Sequence, residues 1–193
     1  MIPSGARAAL SREPAEGARP AAALAAAGLA LLVLRVRLLG YPSAPVLFAA
    51  IYALIGAASL AVPIGPQDDR RLSPTVVLAV GVGAMAVATF LTGPVIRLRF
   101  GPQALALNSL AALSEEAFFR RFLYGRLMRF GAVAAVATTA LLFALVHLPA
   151  YGPVVFWVDL GAGALLSWQR WASGTWSVPA ATHLAANLLV VLP

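Results

Sequence analysis

About seven apolar runs, most of them closed by arginine or by Gly/Pro, constrain this chain more than any other feature. They fall at about 21–34, 45–64, 74–96, 103 onward, 132–148, 154–168 and 176–192. A bilayer crossing needs about 17–25 apolar residues as a helix. In lipid every backbone N–H and C=O must be satisfied within the segment, so runs of this length read as helices and not as open strands. The 61% hydrophobic and 11% charged composition agrees, against about 25% charged in a soluble domain. The expected fold is all-α, a polytopic transmembrane helical bundle of about seven spans. Residues 1–20 read as a flexible polar tail and 21–193 as a single membrane domain. Small residues at Gly81, Gly83 and Ala84, and again at Gly161–Ala164, would let helices approach closely.

All 14 basic residues are arginine, giving a net charge of +7. A basic chain can bind nucleic acid, but these arginines cluster at the ends of apolar runs, where positive-inside topology explains them. No nucleic-acid motif is present, and nucleic acid is not an expected partner. With seven spans and a cytoplasmic N-terminus, ten arginines fall inside (7, 12, 19, 70, 71, 120, 121, 126, 129, 170) and four outside (35, 37, 97, 99). Arg35 and Arg37 close the first run without a small-residue cleavage site, so it reads as an uncleaved helix rather than a signal peptide. The absence of cysteine excludes disulfides, thiolate nucleophiles and Cys-based metal sites. Usage rich in Ala, Arg, Gly and Pro, with no lysine, suggests a GC-rich bacterial genome and hence the bacterial inner (cytoplasmic) membrane.

Against this background the polar residues inside the runs stand out. A charge at the bilayer centre costs on the order of 2.5–3.5 kcal/mol by insertion scales, so such residues need a partner or a use. Glu116 and Arg120 are four apart, on one helix face and within pairing distance. Glu115 lies about 100° round the helix and has Phe119 at its own fourth position, which leaves its carboxylate for another task. The two histidines, His147 and His183, each sit in an apolar run, and Asn187 follows His183 by one turn. If these helices converge, Glu115, His147, His183 and Asn187 supply a carboxylate base, two imidazoles and an amide donor in a low-dielectric interior. That set suits attack of activated water on a peptide carbonyl. The plainer alternatives are a structural ion pair for Glu116 and Arg120, core hydrogen bonds for the histidines, and a helix–helix bond for Asn187. Arg121, Arg126 and Arg129 read as interface markers. Trp168, Trp171 and Trp176 read as an aromatic belt around the turn at Gly174. Asp159 is a candidate by its place within a run, with pairing to an arginine as the plain reading.

Glu115-Glu116-x-x-x-Arg120, Phe143-x-x-x-His147 and His183-x-x-x-Asn187 resemble, in order and spacing, the three motifs of the CAAX-protease and bacteriocin-processing (CPBP) intramembrane proteases. Type II CAAX prenyl endopeptidases are the eukaryotic branch of that family. The resemblance covers about 104–192. It implies an intramembrane endopeptidase that hydrolyses a peptide bond near the membrane in a C-terminal segment of a protein substrate. It further implies Glu115 as the water-activating base helped by His147, and His183 and Asn187 as the oxyanion-stabilising pair. Glu116 and Arg120 would be supporting residues. A short chain with only the core bundle fits bacteriocin maturation or immunity, or myxosortase-type anchor processing, better than prenyl-protein cleavage. Glu115, His147 and His183 could also form a His2Glu zinc set. The His-Glu-x-x-His spacing is missing, and a metal-free mechanism without cofactor is expected. The expected partners are a membrane-associated protein or peptide and the bilayer. A non-catalytic immunity or scaffolding protein is the alternative. A proton-relaying transporter is disfavoured for want of an inverted repeat. If Arg120, Arg121 and Arg126 mark the inner interface, Glu115 lies about 7 Å inward of Arg120, nearer the cytoplasmic side.

Overall fold

The structure is a computed structural model describing residues 15–64, 71–92 and 101–191. Expectations for residues 1–14, for the polar turn at 65–70 and for Arg97 and Arg99 lie outside these. Among the described residues all regular structure is helical: α1 (Ala15–Leu34), α2 (Ala44–Ala61), α3 (Pro74–Thr92), α4 (Pro102–Glu116), α5 (Ala132–Tyr151), α6 (Pro153–Ser173) and α7 (Ser177–Val191). Short 3₁₀ segments follow α1 at Arg35–Leu38 and precede α5 at Met128–Phe130. The all-α expectation holds.

Two boundaries differ from the sequence reading. The first helix starts at Ala15, inside the segment expected to be a tail, because its Ala-rich composition favours the helix up to and past Pro20. The sixth helix runs on to Ser173, so Trp168 and Trp171 lie within it and only Trp176 falls beyond Gly174. Gly174 ends the helix at φ 71°, a left-handed conformation glycine adopts without penalty.

Among the described residues four stretches are long and apolar enough to cross a membrane: Ala18–Leu38, Ala44–Ala61, Pro74–Leu91 and Ala132–Tyr151. The remaining three helices, α4, α6 and α7, carry the glutamates, Asp159, His183 and Asn187. Each turns its polar residues inward while keeping some exposed apolar ones, Leu113 on α4, Val154 and Trp157 on α6 and Leu188 on α7. The continuation of α4 packs against α2, α5 and α6, α7 packs on α4 and α3, and α5 and α6 form an extended antiparallel hairpin about Gly152. Gly163 permits that hairpin, since a Cβ there would lie 3.0 Å from the Ala140 carbonyl oxygen. Gly28 does the same for α1, where a Cβ would meet the Phe118 ring at 2.4 Å. Of the small residues noted on α3, Gly81 packs tightly against Gln169 whereas Gly83 faces open space.

The polarity is inverted relative to a soluble protein. Glu116, Arg120 and Gln169 are fully buried, while Phe90, Val133 and Val154 are at least 75% exposed. An outer surface of this kind would be a large apolar patch in water and is the expected face toward lipid chains. An aromatic core of Phe118, Phe119, Phe122 and Phe143, with Leu32, Ile55 and Val146, underlies the polar interior.

Candidate active site

Directly after the glutamate pair, α4 passes into a π-helical segment, Ala117–Leu123, and closes with an α-helical turn at Tyr124–Leu127. Wider i→i+5 turns are rare and concentrate at functional sites. Spacing arguments do not reveal this one. The segment buries Arg120 completely while Arg121 reaches the other way, donating to the Ser59 carbonyl and, at 3.2 Å, to that of Val62.

Glu116 and Arg120 pair as their spacing predicts, Arg120 Nη1 lying 2.9 Å from Glu116 Oε1. Arg120 Nη2 also donates to the Gly163 carbonyl at 3.2 Å, and its guanidinium lies 4.5 Å from the Phe143 ring centroid. His183 was expected to face Glu115. Instead its Nδ1 bonds Glu116 Oε1 at 2.9 Å. That correction follows from packing: α7 lies against α4 on the side that presents Glu116, and the imidazole meets the nearer carboxylate. A carboxylate only accepts, so His183 carries its proton on Nδ1 in this bond.

Glu115 is almost entirely buried and reaches two partners, one on each oxygen. Oε2 faces His147 Nε2 at 3.7 Å, as expected from the sequence. His147 Nδ1 lies 2.8 Å from the Phe143 carbonyl, which can only accept; the proton is therefore on Nδ1, and Nε2 of the neutral ring is an acceptor. The Tyr151 ring stacks on the imidazole at 5.9 Å. Oε1 is held by Arg35 Nη1 at 2.8 Å. Arg35 was expected at the outer interface; it is buried, because the 3₁₀ turn after α1 directs it back into the bundle, where the Tyr52 hydroxyl also binds it at 2.5 Å. No local signal in the sequence separates Arg35 from the exposed Arg37.

Arg170, counted as an inner-face marker, is likewise buried, donating from Nε to the Arg120 carbonyl at 3.1 Å and lying over the Tyr124 ring. Arg120 and Arg35 also leave the interfacial count, so fewer arginines bear on orientation. Glu115 meets Arg35 just past the end of α1 and His147 one turn before the end of α5.

Asn187 donates to the Asn108 carbonyl at 3.2 Å, the helix–helix bond that was its plainer reading, with one amide hydrogen left over. Asp159 is bonded to no arginine among the described residues. Its Oδ2 is buried with no hydrogen-bond partner among the described residues, and Glu115, His183 and Arg35 are the charges that act on it. The His2Glu set of Glu115, His147 and His183 is not gathered, since His183 is turned to Glu116. Among the described residues no three His, Asp or Glu side chains stand close enough to hold a metal ion.

Fold and site together define a multi-pass helical membrane protein with a carboxylate and an imidazole opposed in its interior. Residues 97–189 match the family model described as Type II CAAX prenyl endopeptidase Rce1-like. The match takes in Glu115, Glu116, Arg120, His147, His183 and Asn187, and is consistent with a CPBP intramembrane protease. At family level it supports CAAX-type intramembrane endopeptidase activity, and so a peptidase. Neither the curated proteins nor the solved structures gave a match.

Proposed function

We propose that this chain hydrolyses a peptide bond near the membrane, in a C-terminal segment of a membrane-associated protein, using water activated by Glu115. The observation that carries this reading is the opposition of Glu115 Oε2 and His147 Nε2 at 3.7 Å. The gap is too long for a direct hydrogen bond and suits one bridging water. With His147 protonated on Nδ1, both facing atoms are acceptors. A water between them donates both hydrogens and turns its lone pairs toward a carbonyl carbon.

Glu115 takes one proton as the water oxygen bonds to that carbon, giving a tetrahedral oxyanion. The donors for the oxyanion are the spare amide hydrogen of Asn187 and, when the ring carries a second proton beside the Glu116 carboxylate, His183 Nε2–H. Collapse breaks the C–N bond, and the proton held by Glu115 passes to the leaving amine. The second water proton passes to His147 Nε2, and the products are a protein with a new C-terminal carboxylate and a released C-terminal fragment with a free amine. The reading covers protein maturation or C-terminal anchor processing in a bacterial inner membrane.

Glu115→Gln and His147→Ala, each expressed in cells, provide the test. Mass spectrometry of C-termini should show the longer form of each substrate accumulating in both variants. Processing that continues unchanged in Glu115→Gln refutes a catalytic role and leaves the immunity or scaffolding reading. Purified protein in liposomes should keep its activity after treatment with a zinc chelator; loss of activity with recovery on zinc addition would replace the metal-free mechanism.

A further inference from the structure

The family match begins at residue 97, yet the carboxylate it contains is held from outside it. Arg35 arrives from the turn after α1, eighty positions away in sequence, and a single nitrogen, Nη1, serves both Tyr52 on α2 and Glu115 on α4. The guanidinium also lies 5.5 Å from the Tyr52 ring centroid. Burying a guanidinium costs several kcal/mol unless it is well paired, and here the pairing falls on the one carboxylate that faces an imidazole across a water-sized gap.

The division of Glu115 between its two oxygens gives this contact a consequence. With Oε1 anchored to Arg35, the carboxylate plane is set and Oε2 stays turned to His147. Without the anchor, Oε1 loses its donor and the carboxylate can rotate, either closing the gap or turning Oε2 away. The groups acting on Glu115 come from every neighbouring element: Arg35 after α1, Tyr52 from α2, His147 from α5, Asp159 from α6 and His183 from α7. His183 spends its bond on Glu116 and His147 presents an acceptor, so Glu115 is held from the α1–α2 side, by Arg35 with the Tyr52 hydroxyl beside it.

Resting on the protease reading above, we propose that Arg35, seated by Tyr52, is a positioning residue for the water-activating carboxylate. It makes the competence of the 97–189 segment depend on the docking of the first helix. The contact between Gly28 and Phe118 sets that docking, because it brings α1 close enough to α4 for the arginine to reach.

The experiment uses the full chain in cells, with C-termini mapped by mass spectrometry for wild type, Glu115→Gln, Arg35→Met, Arg35→Lys and Tyr52→Phe. A peptide spanning the cut site so found then gives kcat and KM for protein purified in liposomes. Loss of positioning by an ångström is worth about 10²-fold in rate, so Arg35→Met should lower kcat by about that factor with KM changed less than about twofold. Arg35→Lys should recover much of the loss, since an ammonium with three donors can replace the one nitrogen in use. Tyr52→Phe keeps the ion pair and removes the seat. It should show a smaller loss of kcat, and it carries the test if Arg35→Met does not accumulate.

Termini that require Glu115 but form at the wild-type rate in Arg35→Met, or in Tyr52→Phe where that variant stands in, overturn the proposal and leave the protease reading intact. An Arg35→Lys variant no better than Arg35→Met, with kcat, KM and melting temperature all degraded, overturns it in favour of a purely structural ion pair. Absence of any Glu115-dependent terminus defeats the protease reading itself, and the proposal with it.

Discussion

Arg120 is the largest side chain buried without residual exposure, and its replacement by methionine has effects that the structure lets us work out. Methionine fills most of the same volume, so the loss is electrostatic. Glu116 Oε1 would keep His183 but lose the guanidinium at 2.9 Å, while its Oε2 already has no hydrogen-bond partner among the described residues. The Gly163 carbonyl loses its donor as well. Breaking a buried ion pair from one side costs about 3–5 kcal/mol. At about 2–4 °C per kcal/mol for a domain of this size, the melting temperature in detergent should fall by about 6–20 °C. Most of that penalty is an uncompensated carboxylate, so adding Glu116→Gln to Arg120→Met should recover at least half of the drop. Differential scanning fluorimetry of the wild type, both single variants and the double variant reads the cycle directly. A double variant no more stable than Arg120→Met would refute the reasoning, because the cost would then lie in packing rather than in charge.

Three further outcomes are expected. Gly28→Ala should destabilise by about 1–3 kcal/mol through overpacking against Phe118; its cleavage rate should fall as α1 moves away, and a melt unchanged from wild type would contradict the close approach. Asn187→Ala should lose about 0.6–2 kcal/mol for one interhelical hydrogen bond. A rate loss well beyond that stability change would assign its second amide hydrogen to the oxyanion. Asp159→Asn should leave the melting temperature level or higher, since the buried Oδ2 has no hydrogen-bond partner among the described residues to lose; a clear drop would reveal a partner that the geometry does not show.

Much of this protein follows from local rules that need no knowledge of its packing. Inverted polarity and run length specify membrane helices, because the bilayer leaves the backbone no other way to satisfy its hydrogen bonds. A helical repeat of 3.6 residues puts Arg120 beside Glu116, and places His183 and Asn187 on one face, whatever the helices around them do. His147 was legible as a partner for Glu115 only once its helix was assumed to converge, and in the structure it does.

What the tertiary structure alone decided is which surface of each helix meets which neighbour. Sequence spacing says nothing of rotation between helices. It therefore could not tell that His183 would meet Glu116 rather than Glu115, or that Asp159 would sit near the site without an arginine. Nor could it show that two arginines, Arg35 and Arg170, indistinguishable by position from topology signals, turn inward. Arg35 is the clearest case. Its ion pair spans eighty positions and joins segments with no shared periodicity, beside the close approach of Gly28 to Phe118. The π-helical turn after Glu116 belongs with it, since a single widened turn is set by the packing around it and leaves no repeat to read in the chain.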